Sequence, residues 1–371
     1  MFDYLRSRGK YAFASMPPGP IDSLIFSMLV HCPLERLPAA SLPAPLGWLT
    51  AQIYPGPMPP EGDMARQRWR LWQAAASALR FSQVELRYFE SRFDAAYERQ
   101  FAGAIFQLNP VTAVVAFRGT DSTVVGWKED FNMAFESPVP AQTDALAFLI
   151  RACYMYPHLY VCGHSKGGNL AVYSAAHIPA DLRPRIRQVY SFDGPGVDDD
   201  TFASPEYAAI SDRIRSYVPE ASVVGMLLNY HEDYTVIDSD GISISQHNPF
   251  LWHIEDGQFI TKEKLSAAGL FADQTFHDFL AGCSKEERRI VVDTLFDIIE
   301  ATKARTLKEI AVGALMHFPA VLSAIKRVPE KNRAIMLKVA KTLITAGGNN
   351  LNLLFSADNT YTSGPDSNLP V

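Results

Sequence analysis

One serine lies in a setting where its hydroxyl could act as a nucleophile. Residues 163–167 read Gly-His-Ser-Lys-Gly and match G-x-S-x-G around Ser165. The preceding segment HLYVCG is typical of a buried strand, and the following NLAVYSAAH has helical periodicity. In such a turn the hydroxyl points clear of the main chain, and side chains at Gly163 or Gly167 would collide with neighbouring elements. This favours a nucleophile over a structural turn, or over a phosphate-binding loop, which needs lysine after its second glycine.

A serine hydroxyl needs a base, and the base needs an acid that orients it. Around this kind of turn the expected chain order is Ser, then Asp or Glu, then His. Six histidines follow the serine: His177, His231, His247, His253, His277 and His317. The first ends the helix after the turn, and the last two fall in a helical region. His247, in SISQHNPFLW after a short strand, is the predicted base, with His231 and His253 as alternatives.

The acid is expected just after the strand RIRSYV, which favours Glu220 in VPEASVVG. Asp233, in HEDYTV, is the alternative. Asp193, in SFDGPG, ends the preceding strand, one position earlier than is usual for the acid. A buried structural role that caps the loop is favoured for Asp193.

Two main-chain amides are expected to stabilise a developing negative charge, those of Thr120 after the strand VVAFRG and of Lys166 after the nucleophile. Arg118 is expected to tie its loop to a nearby carboxylate. The Lys166 side chain has two interpretations: a cation that favours an anionic or polar acyl group, or a salt-bridged lysine. The four cysteines form no CxxC pair, and we expect neither a metal nor a cofactor.

Strands alternate with helices between about residues 81 and 260, which predicts an α/β fold with a mostly parallel sheet flanked by helices. Before them lie a Pro-rich stretch with one short amphipathic helix, at residues 21–32, and a helix at residues 64–79. Three amphipathic helices follow. The predicted organisation is a catalytic core over residues 1–260, a helical appendage over 261–347 and a flexible tail over 348–371.

Composition limits the partners. The 371 residues carry a net charge of −6, which is unfavourable for wholesale binding of nucleic acid. The N-terminus lacks the apolar stretch of a signal peptide, and no run of about 18 uncharged apolar residues occurs. We therefore expect a cytoplasmic protein with no transmembrane segment. Peripheral membrane contact and the oligomeric state are left open.

The segments AFRGTD, GHSKGGN and SFDGPG, in this order, resemble the class 3 (fungal-type) lipases. Together with MFDYLRSRGKYAF, VPEASVVGMLL, QHNPFLW and TLFDIIEATKARTL, they resemble a bacterial family of lipase-like α/β-hydrolases often labelled Mbeg-like, over most of residues 1–310. The resemblance implies an α/β-hydrolase fold with Ser165 as nucleophile, Thr120 and Lys166 as oxyanion donors, His247 as base and an acid near Glu220. Lipases normally carry Asp at the acid position and an apolar residue where this chain has Lys166.

The sequence thus predicts a serine hydrolase that cleaves carboxylic, lipid-like acyl esters through an acyl-enzyme. Two alternatives stay open. One is a binding or scaffold protein on the same fold without catalysis, and the other is an acyltransferase that uses an acceptor other than water.

Overall fold

A nine-stranded sheet with helices on both faces organises the chain. The computed structural model describes residues 1–56, 62–121, 123–228, 234–306, 309–310 and 315–356. The strands are β1 (Ala44–Pro45), β2 (Glu85–Asp94), β3 (Arg99–Asn109), β4 (Thr112–Phe117), β5 (His158–His164), β6 (Ile186–Phe192), β7 (Ile214–Pro219), β8 (Tyr234–Ile237), β9 (Ile254–Glu255), β10 (Gln258–Phe259) and β11 (Thr261–Lys262). Strands β9 and β10 form a separate hairpin.

Strand order in the sheet follows the chain from β1 to β8, with β11 beside β8. Strands β4 to β8 are parallel, whereas β1 to β4 and the β8–β11 pair are antiparallel. Only four residues join β2 to β3 and two join β3 to β4, too few for the crossover that parallel pairing needs. The α/β class is as predicted, but the sheet is mixed around a parallel centre rather than mostly parallel.

The helices lie before, between and after the strands. They are α1 (Phe2–Arg8), α2 (Pro20–Leu29), α3 (Leu46–Ile53), α4 (Asp63–Ser77), α5 (Leu79–Ser82), α6 (Val124–Asn132), α7 (Pro140–Met155), α8 (Lys166–His177), α9 (Asp199–Phe202), α10 (Pro205–Ala208), α11 (Ala267–Ala281), α12 (Lys285–Glu300), α13 (Phe318–Arg327) and α14 (Glu330–Ser356). None of the described helices is both long and apolar enough to cross a lipid bilayer.

Strand β4 shows why helices pack on both faces of the sheet. After Thr112 its sequence AVVAF is an uninterrupted apolar run, as expected for a strand that is buried on both faces. Because side chains alternate along a strand, Val114 and Ala116 pack in the core that contains α2 and α4. Val115 and Phe117 pack in the opposite core with α7 and α8. The sheet is therefore the middle of three layers.

The N-terminal residues form one of the two helical layers. The sequence predicted a short amphipathic helix at residues 21–32, but α2 is buried through nine of its ten residues. Its Asp22 accepts hydrogen bonds from Tyr4, from the Gly19 amide and from both Nε and Nη2 of Arg80. Both side chains of the Asp22–Arg80 pair are at most 1% exposed. This buried ion pair fastens the N-terminal layer to α5.

Most of the described C-terminal region is helical. Helix α11 was not anticipated, and α14 continues to Ser356, so residues 348–356 are helical rather than part of a tail. The sheet reaches Lys262, two residues past the predicted boundary of the core. Residues 307–308, 311–314 and 357–371, which include parts of a predicted helix and of the tail, lie outside the described residues.

Replacing Asp22 tests how strongly the N-terminal layer is attached. Asp22→Asn leaves the buried Arg80 guanidinium without its counter-charge, and we expect the free energy of unfolding in urea to fall by about 3–5 kcal/mol. The control Asp3→Asn removes the exposed ion pair with Arg6, whose side chains are each 73% exposed. A loss within about 1 kcal/mol is expected there. Equal losses in the two variants would contradict this account.

Candidate active site

Ser165 occupies a strained turn between β5 and α8. Its φ of 59° and ψ of −135° lie in a region that residues other than glycine rarely adopt. The Ser165 amide donates to the carbonyl oxygen of Phe192 at 3.0 Å, and its own carbonyl accepts from Gly168 at 2.8 Å. The main chain on both sides of the serine is thereby fixed to β6 and to the first turn of α8.

The glycines that flank the serine are required by close approach. A Cβ atom added to Gly163 would lie 2.0 Å from the carbonyl oxygen of Gly167, and one added to Gly167 would lie 2.2 Å from that of Phe117. Both contacts are with main-chain atoms, which cannot move aside cheaply. A Cβ atom at Gly119 would lie 3.1 Å from the Cβ of Ser165, so the loop after β4 passes directly beside the serine. Gly163 and Gly167 therefore lie where the main chain leaves no space for a side chain.

Asp193 and His247 are in direct contact close to the serine. Nδ1 of His247 lies 2.6 Å from Oδ2 of Asp193, a carboxylate whose side chain is 1% exposed. The other carboxylate oxygen accepts from the Ser222 hydroxyl and, at 3.1 Å, from the Gly225 amide. Because a carboxylate only accepts hydrogen bonds, Nδ1 carries the proton and Nε2 of His247 is left as a proton acceptor.

The carboxylate that contacts His247 is Asp193 rather than the expected Glu220. Glu220 does not reach His247, and its contacts among the described residues are made by its main chain, whose carbonyl oxygen accepts from the amide and hydroxyl of Ser266. Register explains the difference. His164 pairs with Phe192, so the residues after them, Ser165 and Asp193, lie side by side at the ends of β5 and β6. Glu220 lies one strand further along the sheet.

His164, the residue before the serine, contacts the segment that carries His247. Nε2 of His164 lies 2.8 Å from the carbonyl oxygen of His247, and the two imidazole rings are 4.5 Å apart between centroids. Trp252 donates from Nε1 to the carbonyl oxygen of Gln246 at 2.7 Å. Among the described residues no hydrogen bond joins the Ser165 hydroxyl to His247. The imidazole is 24% exposed and thus accessible from solvent.

The other candidates for base and acid are placed differently. His253 contacts Asp238 at 2.7 Å and Asp240 at 2.9 Å, and its hydrogen bonds to Asp240 and Asp238 raise its pKa. It is thus engaged in a separate surface cluster. His231 and Asp233 lie outside the described residues.

The loop after β4 brings one predicted oxyanion donor to the site. The Thr120 hydroxyl donates to Oδ2 of Asp130 on α6, which fixes the loop. Burial raises the pKa of Asp130 to about 6, against the lowering effects of Lys166 and Thr120. The Lys166 amide is the first of α8, and the first amides of a helix have no acceptor within it. The Lys166 amide thus directly follows the serine, and Thr120 follows Gly119, the residue that approaches Ser165.

The Lys166 side chain points away from solvent into a buried ion pair. Its ammonium group lies 2.5 Å from Oε2 of Glu129 and donates to the carbonyl oxygen of Gln100 at 3.0 Å. Lys166 and Glu129 are at most 1% exposed. Glu129 also accepts from the amides of Gln100 and Ala141. Of the two interpretations of Lys166, the structure shows the salt-bridged lysine.

Glu129→Gln removes the nearer of the two carboxylates beside the buried ammonium group of Lys166; the other, Asp130, lies 3.5 Å away. We expect the free energy of unfolding in urea to fall by about 3–5 kcal/mol. The matched control is Glu85→Gln, whose partner Arg87 and own side chain are each about one third exposed. That variant is expected to lose less than about 1 kcal/mol. A Glu129 variant as stable as the Glu85 variant would show that Lys166 does not depend on this partner.

The N-terminal layer also contributes to the site. The Gly119 amide donates to Nε2 of His31 at 3.3 Å. Arg118 pairs with Glu35 at 2.5 Å; the sequence predicts a carboxylate partner for Arg118 but does not identify it. Burial lowers the pKa of His31 well below its ordinary value, and nearby Arg68 adds to the effect. Burial likewise lowers the pKa of His164, with a further contribution from His247. Both imidazoles are thus neutral hydrogen-bonding groups at neutral pH.

These two histidines predict an acid-sensitive fold. Below pH 6.5 the histidines of the unfolded chain bind protons, whereas His31 and His164 in the folded protein do not. The free energy of unfolding therefore falls with pH, by up to about 1.4 kcal/mol per pH unit for each histidine. His31→Gln keeps an acceptor for the Gly119 amide but does not titrate. Its urea unfolding curve should therefore fall less steeply with pH than that of the wild type below pH 6.5. Around pH 8 both histidines are neutral in the folded and the unfolded chain. There the difference in free energy of unfolding between the two proteins should no longer change with pH. Parallel curves below pH 6.5 would contradict the prediction.

A cleft of about 1060 Å³ opens between α1 and the β9–β10 hairpin. Ser165 does not line this cleft, but Trp252 does, and the Trp252 ring packs against His164 with 6.0 Å between centroids.

In the ranges that the structure describes, no three His, Cys, Asp or Glu side chains come together as metal ligands would.

The chain was compared with protein families, with solved structures and with curated proteins. A family model described as Mbeg1-like matches residues 75–297, which include Ser165, Asp193 and His247. The crystal structure of M37 lipase is 14% identical and covers 56% of this chain and 68% of its own, with a TM-score of 0.34. No curated protein matches.

Proposed function

This chain belongs to the Mbeg1-like family, and we propose that it is a serine hydrolase with an α/β-hydrolase fold that cleaves carboxylic esters through an acyl-enzyme on Ser165. One observation carries the proposal: the 2.6 Å contact between His247 and the buried Asp193, beside the turn that holds the serine. A serine, a histidine with a free Nε2 and a buried carboxylate on Nδ1 are the three groups that acyl transfer through serine requires.

The reaction then proceeds in two halves. The Ser165 oxygen attacks the ester carbonyl carbon while its proton passes to Nε2 of His247. The amides of Thr120 and Lys166 stabilise the negative charge on the carbonyl oxygen. The bond to the leaving alcohol breaks, and the alcohol takes the proton from His247. Water attacks the acyl-enzyme, gives a proton to His247 and releases the acid, and the serine regains its proton.

Asp193 acts through the imidazole. It holds His247 in the tautomer with the proton on Nδ1 and stabilises the imidazolium that forms during each half-reaction. The contact between the Ser165 hydroxyl and Nε2 must form when substrate binds, because such catalytic hydrogen bonds are often long before then. A quarter-exposed imidazole has room for this movement.

The contacts of Lys166 bear on the substrate class. An ammonium group neutralised by Glu129 gives no reason to expect recognition of an anionic acyl group. A neutral, lipid-like acyl ester fits the site better, which is the class that the resemblance to lipases implies. The length of the acyl chain and the nature of the alcohol are for an ester panel to decide.

Steady-state hydrolysis of a p-nitrophenyl acyl ester series tests the assignment of the acid. Asp193→Asn should lower kcat by about 10⁴, because the imidazole loses its orientation, and Ser165→Ala should lower it by at least as much. Glu220→Gln is the matched control and should stay within about twofold of the wild type. The prediction would be overturned if Glu220→Gln were the inactive variant and Asp193→Asn the active one.

The same panel separates the alternatives. A scaffold protein on this fold would show no turnover that depends on Ser165. An acyltransferase would form the acyl-enzyme but deliver the acyl group to an added alcohol or amine, and product analysis would detect that adduct.

A further inference from the structure

Helix α13 leaves an apolar face in solvent. Phe318, Leu322 and Ile325 recur at spacings of four and three residues, so they lie on one face of the helix. They are 59%, 38% and 46% exposed. Just before the helix, Leu315 and Met316 are 81% and 73% exposed. Large apolar side chains are usually buried, so five exposed ones within eleven residues are unusual.

Helix α14 has a second exposed stripe, on the side away from its packing. Val339 and Ala346 are buried and face the rest of the protein. Leu337 and Ile344 each lie two residues earlier, which is a rotation of about 200° around a helix, and they are 73% and 74% exposed. Leu351 continues the same spacing of seven residues and is 47% exposed. The packing of α14 does not account for this outer stripe.

The inner side of α14 is attached by polar contacts. Lys338 pairs with Glu287 of α12, and Asn350 donates to Asp278 of α11 at 2.9 Å. The helix can therefore present its outer stripe without leaving the protein.

Charge distinguishes this pair of helices from the rest of the chain. Residues 318–345 contain six lysines and arginines and one glutamate, a net charge of +5, whereas the whole chain carries −6. The remaining residues therefore carry −11. Five of the basic side chains form no ion pair within the described part of the chain and are exposed: Lys326, Arg327, Lys331, Arg333 and Lys341.

We propose that α13 and α14 form a docking surface for the face of an anionic lipid bilayer. Aliphatic and aromatic side chains flanked by lysine and arginine on amphipathic helices are what binding at a membrane interface requires: apolar groups enter the acyl boundary and cations meet lipid phosphates. A second copy of this surface would bring equal positive charge against it, which makes self-association through this face unfavourable.

The proposed membrane binding is separate from ester hydrolysis, and the test of membrane binding does not require the protein to hydrolyse esters. The full-length Ser165→Ala variant is sedimented with vesicles of phosphatidylcholine alone, or of equal parts phosphatidylcholine and phosphatidylglycerol. We expect binding to the anionic vesicles at least tenfold tighter than to the neutral ones, and weaker binding as salt is raised.

Two sets of substitutions in that background locate the surface. The triple variant Lys326→Glu, Lys331→Glu and Lys341→Glu should bind anionic vesicles at least a hundredfold more weakly, because each basic side chain near such a surface contributes about a fivefold change. The double variant Leu337→Ser and Ile344→Ser should lose at least tenfold through the lost apolar insertion.

The matched control replaces exposed apolar side chains elsewhere. Tyr97 and Tyr154 are 70% and 72% exposed, and Tyr97→Ser with Tyr154→Ser should bind vesicles as the parent does. Equal thermal midpoints for all variants would show that each is folded. The proposal is overturned if neutral and anionic vesicles bind equally, if the α13–α14 variants bind like the parent, or if ultracentrifugation shows a dimer that Leu337→Ser and Ile344→Ser dissociate while no vesicle is bound.

Discussion

The close approach of β4, β5 and α8 is the constraint on which the site depends. Two positions there accept no side chain, because any Cβ atom would meet a main-chain oxygen within about 2 Å. The backbone at Ser165 is held by the same packing in a conformation that costs of order 1–3 kcal/mol. Parallel pairing of β5 with β6 then puts Asp193 beside the serine. The remaining parts of the site are fastened to this arrangement.

Buried hydrogen bonds and ion pairs hold the turn and the loops of the site in place. The turn at Ser165 is tied to α6 through the ion pair of Lys166 with Glu129. The loop with Thr120 is tied to the same helix through Asp130. His164 holds the segment of His247 from below. These groups are costly to bury singly, and each has a partner that offsets the cost. A site assembled in this way is rigid on one side, whereas the imidazole of His247 keeps contact with solvent.

The strand, turn and helix around the serine could be predicted from sequence because their signals are local: a short, mostly apolar run, two glycines and a helical period. The carboxylate could not, because the expected position past β7 was taken from the usual order of elements. Strand register decides instead that Asp193 lies level with Ser165 and Glu220 does not. The burial of α2 was missed for a similar reason, since a short apolar helix looks alike on a surface and in a core. The clue in its sequence was Asp22, whose partner Arg80 is 58 residues away.

The most direct test of the central claim is reaction of the folded protein with a fluorophosphonate probe, followed by peptide mapping. We expect a single phosphonylated residue, Ser165, and labelling that slows by several orders of magnitude in His247→Gln and Asp193→Asn but not in Glu220→Gln. Failure of the wild-type protein to react, or a label on another residue, would contradict the account.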